Sequence, residues 1–314
     1  MKGRFAGVLE TIGNTPLVEI RKLNPNPGVR IFAKLESFNP GGSVKDRPSL
    51  YMIKRAEERG ELTRDKVILE ATSGNTGIGL ALVAAAKGYR LCLTLPESAS
   101  DERKKILKAL GAELRFTPAA LGTDGAIEEA YAIKRENPDR YFLVDQFNNE
   151  DNIAAHYHGT AVEIWEQTGG EITMFVAALG TSGTAMGCAR RLKEYNPAIR
   201  IVGVEPYMGH RIQGLKNMKE SYRPGIFDRS LLDEKVNILD EDAYEMARRL
   251  LREEGIFSGM SCGAAMHVAV EKAKELSEGL IVVVLPDSAE RYPSTELFAD
   301  KDKSTPRFYD IRTS

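Results

Sequence analysis

The chain is expected to be an α/β protein of two lobes, each a mostly parallel twisted sheet covered by helices. Three observations point there. Short apolar, β-branched runs alternate with longer helix-period segments, the pattern of a parallel sheet and its covering helices. Gly- and Thr-rich turns follow two of those runs and open helices, at the strand ends where open α/β sheets bind ligands. The length of 314 residues exceeds the roughly 100–200 of one ordinary core. We place the change of lobe near residue 150, giving an N-terminal lobe 1–150 and a C-terminal lobe 151–314, with the first strands crossing into the other lobe.

The runs read as strands are 67–71, 90–95, 141–144, 174–179, 200–204 and 280–285. Segment 241–254 is read as a helix, because Ala243, Met246, Ala247, Leu250 and Leu251 recur on one face. Asp240 starts it and Gly255 stops it. No fixed-period repeat, low-complexity tract or flexible tether interrupts the chain. The longest stretch without a period is 206–236, and a loop of that length in a compact enzyme is more often functional than idle.

Composition narrows the partners. With 43 basic and 45 acidic side chains the net charge is -2, so no nucleic acid is expected. No apolar run reaches the roughly 20 residues of a membrane span. Met1-Lys2-Gly3-Arg4-Phe5 is not a secretory signal, and Cys92, Cys188 and Cys262 make no disulfide framework, so a cytoplasmic protein is expected. These cysteines and His156, His158, His210 and His267 lack zinc spacing, and no metal is expected.

Three turns carry chemistry. In the segment 34–48, Lys45 falls at a helix start with Pro48 in the first turn. The positive end of the helix dipole and partial burial there disfavour an ammonium and favour a nucleophilic amine, although a merely solvated lysine has the same local sequence. Without a preceding glycine or a following Ser/Thr, Lys45 is not part of a Walker A loop. The second turn, Thr72-Ser73-Gly74-Asn75-Thr76, offers hydroxyls, an amide and backbone N–H groups that suit a carboxylate; the plainer alternative is that Ser73 and Thr76 cap the helix. The third, Gly180-Thr181-Ser182-Gly183-Thr184, lets backbone and hydroxyls close around a phosphate, or is a plain tight turn. No dinucleotide fingerprint occurs, so a Rossmann dehydrogenase fits poorly. An amine, a carboxylate site and a phosphate site together suggest pyridoxal phosphate acting on an amino acid.

The string K-x-E-x-x-x-P-x-x-S-x-K-x-R from Lys34 to Arg47 resembles the lysine motif of the cysteine synthase (O-acetylserine sulfhydrylase) family of fold-type II pyridoxal-phosphate enzymes. The other two turns are similar to that family's substrate and phosphate loops, and the likeness runs from Thr11 to Thr295. The resemblance implies pyridoxal 5'-phosphate held on Lys45 as a Schiff base, with Asn75 on the ring oxygen, Gly180 to Thr184 on the phosphate and Ser261 at the pyridine nitrogen. It implies Thr72, Ser73, Asn75, Thr76 and Gln146 as the substrate-binding set, with Gly214 in the loop beside the mouth. The activity implied is β-replacement of an O-activated serine (O-acetylserine or O-phosphoserine) by a sulfur donor to give L-cysteine. Cystathionine β-synthase chemistry on serine and homocysteine, and an idle binding partner of serine acetyltransferase, are the alternatives. The family pattern further implies a homodimer, with serine acetyltransferase or a sulfur-carrier protein as optional partners.

Two departures touch the backbone: Ala289 and Ser182 stand where the family commonly has glycine. Cys262 beside Ser261 is read as a buried inert thiol rather than a nucleophile. The segment 206–224 holds His210, Arg211, Lys216, Lys219 and Arg223 against Glu220 alone, and Lys216-Asn217-Met218 followed by Pro224-Gly225-Ile226-Phe227 looks more like the B-type cysteine synthases. Lys216, with Arg211 second, is the candidate for an anionic donor or leaving group; a solvated basic loop is the plainer reading.

Overall fold

The computed structural model describes residues 4–298. Strands β1 (Leu17–Ile20), β2 (Val29–Leu35), β3 (Val67–Ala71), β4 (Arg90–Pro96) and β5 (Glu113–Thr117) lie in the first half. They are followed by β6 (Tyr141–Leu143), β7 (Met174–Ala178), β8 (Arg200–Pro206), β9 (Glu234–Ile238) and β10 (Gly279–Leu285). A six-stranded sheet has the order β1-β2-β10-β7-β8-β9, and a four-stranded sheet the order β5-β4-β3-β6. Every pairing is parallel except β1 with β2. The six runs read as strands are all present, with ends shifted by at most two residues.

Both sheets are covered on both faces, and that is why their central strands read as continuous apolar runs. Along β7, Met174 and Val176 face one core while Phe175 and Ala177 face the other. Along β3, Ile68 turns to one small-lobe core, and Val67, Leu69 and Ala71 to the second. Helices α1 (Asp46–Glu58), α2 (Asn75–Lys87), α3 (Asp101–Ala109) and α4 (Gly122–Glu136) pack around the small sheet. The remaining helices, α5 (Glu150–Ala155), α6 (Ala161–Gln167), α7 (Gly183–Tyr195), α8 (Asp240–Arg249) and α9 (Met260–Glu275), follow in the second half of the chain.

The π turn His156–Thr160 joins α5 directly to α6, and a second, Leu250–Glu254, ends the helical segment that α8 begins. The helix read over 241–254 is therefore α8 plus a π turn, closed by Gly255 at φ +70°. Asp240 is its first residue rather than its cap; Leu239 holds the N-cap, and the Asp240 carboxylate accepts the Arg211 N–H at 2.7 Å.

A buried ion cluster joins β2, α1 and α6. Arg47 Nε donates to Glu36 Oε2 at 2.6 Å, and its Nη1 to Glu163 Oε1 at 2.6 Å. Lys34 Nζ donates to Glu163 Oε2 at 2.7 Å, to the Thr15 carbonyl at 2.7 Å and to Gln167 Oε1 at 2.8 Å. Two cations face two carboxylates, so the cluster is neutral, as buried charges must be to offset their desolvation. The Lys34, Glu36 and Arg47 of the sequence motif are thus a fastening for the start of α1, two residues beyond Lys45.

Candidate active site

β3 is buried along its length, and the chain leaves its carboxyl end through Thr72-Ser73-Gly74 into α2. Gly74 is the N-cap and no side chain caps the helix, so the capping alternative for Ser73 and Thr76 does not hold. The Gly74 N–H donates to Thr72 Oγ1 at 3.1 Å. The Thr76 hydroxyl donates to Gln146 Oε1 at 2.7 Å, and Gln146 Nε2 donates to Glu70 Oε1 at 3.0 Å. Burial first, and then the charge of Asp145, push the Glu70 carboxyl up to about 8. The turn is therefore backed by an acid that is largely uncharged at neutral pH, which leaves the hydroxyl protons of Thr72 and Ser73 and the α2 terminus to favour an anion, while the Thr76 proton goes to Gln146.

Lys45 is the N-cap of α1, with Pro48 in the first turn. A Cβ on Gly79 of α2 would meet Ser49 Oγ at 2.7 Å and the Lys45 carbonyl at 3.0 Å, so the glycine lets the two helix starts pack together. Lys45 keeps part of its side chain open to the cavity, while the protein packed around the rest lowers its pKa against the opposing charge of Asp287. A lowered pKa supplies the neutral amine that nucleophilic or base chemistry requires. Asp287 accepts from Asn75 Nδ2 at 2.7 Å and from the Tyr292 hydroxyl, and Arg291 Nη1 donates to Asn75 Oδ1 at 2.9 Å. Asn75 is held from both ends. Ala289, where glycine was expected, opens a 3-10 turn, Ala289–Arg291, and is not among the positive-φ residues, so the departure brings no backbone strain.

β7 runs into Gly180-Thr181-Ser182, and α7 begins at Gly183. Ser182 does adopt the left-handed conformation that favours glycine, φ +69°. Its buried hydroxyl has no hydrogen-bond partner among the described residues, a state that asks for one. Thr181 Oγ1 accepts from Asn152 Nδ2 at 3.1 Å, and Thr184 Oγ1 lies 3.2 Å from His156 Nε2.

One cavity of about 710 Å³ gathers these turns. Lys45, the whole of Thr72 to Thr76, and Gln146 line it from one side; Gly180, Thr181 and Thr184 from another. Gly214, Lys216 and Ser261, the last in the first turn of α9, complete it, whereas Ser182 and Gly183 are not on its wall. Lys216 Nζ stands 3.1 Å from Glu220 Oε2, and His210 Nε2 is 3.2 Å from the other oxygen, so the loop's one acid sits between two of its bases. Arg211 is paired with Glu296 near the surface. The Cys262 thiol donates to the Asp287 carbonyl at 3.3 Å, and burial pushes its pKa well above the ordinary thiol range, so it is inert. A smaller cavity of about 410 Å³, beside α8 and α9, holds none of the candidate residues.

The model of the family described as pyridoxal-phosphate dependent enzyme matches residues 8–287. Over 303 residues the chain is 50% identical to the cysteine synthase of Aquifex aeolicus, covering 94% of this chain and 93% of the relative. The chain belongs to the cysteine synthase family of pyridoxal-phosphate dependent enzymes. Over 292 residues it is 45% identical to cysteine synthase B of Escherichia coli, with 93% and 96% of the two chains covered. The crystal structure of the Entamoeba histolytica cysteine synthase matches it with a TM-score of 0.92 at 42% identity, over 97% of this chain and 94% of that one.

Around this cavity stand several side chains beyond the sequence candidates. Glu70 had a usable signal, an acid inside an otherwise apolar strand. Arg103 had none: it lines the cavity from α3 and donates to Gln213 of the 206–224 loop. His156 fits no zinc spacing and Asn152 no motif, yet both stand behind the 180–184 turn.

Proposed function

We propose that the chain is a cysteine synthase, converting an O-activated serine and a sulfur donor into L-cysteine with pyridoxal 5'-phosphate. The observation that carries this reading is the convergence of the Lys45 amine, the 72–76 turn and the 180–184 turn on one cavity. The residues fit the cofactor: Gly180 and the hydroxyls of Thr181 and Thr184 on the cavity wall match a phosphate, and the low-pKa amine matches its aldehyde. When bound, pyridoxal phosphate supplies a conjugated ring that draws electrons from the substrate's Cα. Lys45 takes the Cα proton and later returns it. Thr72, Ser73, Thr76 and Gln146, with the α2 terminus, hold the substrate carboxylate. Ser261 offers a neutral hydroxyl to the ring nitrogen, which leaves that nitrogen unprotonated and favours elimination and replacement over transamination.

The purified full-length chain should show the visible absorbance of a lysine-bound cofactor and form cysteine from O-acetylserine and sulfide. Lys45→Ala should lose both while keeping the cooperative melt of the wild type. Wild-type turnover in that variant, or a cofactor-free chain that only binds serine acetyltransferase, would overturn the reading. Preference for serine with homocysteine would move it to cystathionine β-synthase chemistry.

The finer assignments are part of the same reading. The division near residue 150 is supported by sheet membership, since β3 to β6 make the small sheet and β7 to β10 join the large one. The chain is a homodimer in the cytoplasm; sedimentation at 34.7 kDa across a wide concentration range would reject the dimer. Lys216 serves an anionic donor or leaving group, its charge shared with Glu220 until the anion arrives.

A further inference from the structure

Two side chains stand one helical turn apart behind the 180–184 turn, each against one of its threonines. Asn152 is on α5 and His156 opens the π turn that follows, the i and i+4 positions of one face. Both are buried. The two Nδ2 protons of Asn152 are directed to the Gln146 carbonyl at 2.8 Å and to Thr181 Oγ1 at 3.1 Å. His156 lies between two hydroxyls, Nδ1 2.9 Å from Thr160 Oγ1 and Nε2 3.2 Å from Thr184 Oγ1. α7 approaches this closely because Gly187 has no side chain: a Cβ there would collide with the Ile153 carbonyl and the His156 Cβ.

We propose that Asn152 and His156 form a paired donor clamp: each gives a hydrogen bond to one threonine oxygen, which commits the hydroxyl protons of Thr181 and Thr184 to the cofactor phosphate. A hydroxyl has one proton and two acceptor sites. Once its oxygen accepts from behind, its proton must turn away from that donor, and the cavity that Thr181 and Thr184 line lies on the other side. For Asn152 this direction is fixed chemically, because an amide nitrogen only donates. For His156 it depends on the tautomer. Burial, then the charges of Arg47 and Lys45, lower its pKa well below the ordinary value, so the ring is neutral and carries one N–H. A dianion in front of Thr184 selects the form with that proton on Nε2, with the Thr160 hydroxyl donating to Nδ1. The relay then runs Thr160 to His156 to Thr184 to phosphate, each member donating forward. Asn152 adds a link, since the same amide that aims Thr181 also holds the backbone of Gln146 in the substrate turn. Both act as positioning residues, through the threonines rather than on the cofactor. The inference rests on the reading of the cavity as a pyridoxal-phosphate site.

The test uses the full-length chain freed of cofactor and rebound with pyridoxal phosphate, its Kd measured by equilibrium dialysis. His156→Leu should weaken binding about 10- to 100-fold, the loss expected of one hydrogen bond to a charged acceptor. Thr184→Ala should do the same, and the double variant should bind no more weakly than either single, because His156 works through Thr184. His156→Gln, which keeps an N–H and a neutral side chain, should stay within a few-fold of wild type. On the wild-type protein itself, ¹⁵N NMR of His156 should show the proton on Nε2 with cofactor bound. Multiplicative losses in the double variant, wild-type affinity in a folded His156→Leu, or a proton on Nδ1 would each overturn the proposal. If His156→Leu does not fold, the tautomer decides alone. A wild-type chain that binds no pyridoxal phosphate would overturn the cofactor reading instead.

Discussion

Replacing Glu70 by glutamine should stabilise the protein, and by an amount that depends on pH. In the unfolded chain this carboxyl ionises near 4.5, whereas in the fold it keeps its proton up to about 8. Between those values the native state binds one more proton than the unfolded state, so stability falls as pH rises and levels off above about 8. At about 1.4 kcal/mol per pH unit the interval corresponds to roughly 5 kcal/mol. Glutamine has the shape of the protonated acid, keeps an acceptor for Gln146 Nε2 at 3.0 Å and replaces the acid proton with an amide donor. The variant therefore keeps the Gln146 Nε2 hydrogen bond without the pH penalty; the longer 3.4 Å contact from the Gln146 backbone N–H, which an amide nitrogen cannot accept, is lost equally at every pH. With an unfolding entropy of about 2.1 cal/mol/K per residue over 314 residues, 5 kcal/mol is about 7 °C in Tm. Calorimetric scans of both proteins at matched rates should show the Tm of the variant gaining about 7 °C on the wild type between pH 4.5 and pH 8.5. A gap that is constant with pH, or a wild type that gains on the variant as pH rises, would refute the reasoning.

Glu163 should behave with the opposite sign. Burial alone would raise its pKa, but Arg47 and Lys34 outweigh it and hold the carboxyl down at about 2, so its contribution is complete above about 4.5 and lost as pH falls toward 2. Glu163→Gln should lower stability by about 3 kcal/mol at pH 7, with the deficit closing in acid; a deficit equally large at pH 3 would exclude the ion cluster as its source. Ser182→Gly should stabilise the cofactor-free chain by about 1 kcal/mol, through the left-handed backbone and the orphan hydroxyl it removes, and an unchanged or lower Tm would count against both. Lys216→Ala should lower kcat/KM selectively for O-phosphoserine or an anionic sulfur donor over O-acetylserine with sulfide. Equal loss for both substrates, or none, would remove the charge-selective role.

What the sequence disclosed follows from burial. The central strands β3, β4, β7, β8 and β10 are covered on both faces and stand out as apolar runs. The edge strands β5, with Glu113 and Arg115, and β9, with Glu234, Lys235 and Asn237, show no such run, because an edge needs no second apolar face; the edge strand β6 is legible all the same, because Tyr141 and Phe142 are both buried. The π turn after α8 leaves no mark in the sequence, because one extra residue per turn shifts the helical period only at its end, beside the Gly255 stop. The three chemical turns were visible because glycine, threonine and lysine cluster locally. Their supports were not, since Arg47 meets Glu163 across 116 positions and His156 meets Thr184 across 28, and no local pattern announces either pairing.

The strand order also dictates a sequence of events at the ribosome. Val29 pairs with Gly279, 250 positions later, so β2 cannot find its parallel neighbour until almost the whole chain has been made. The small sheet, confined to 67–143 and its flanking helices, has every strand available by mid-translation. Domains fold as units during synthesis when their contacts are local, whereas pairings with long sequence separation come late. The half that bears Lys45 and the 72–76 turn therefore matures first, while β1 and β2, although translated before it, wait as an unpaired apolar edge for β10. During that interval they are the part of the nascent chain most in need of a chaperone, and truncation before residue 285 leaves the small lobe able to form and the large sheet open between β2 and β7.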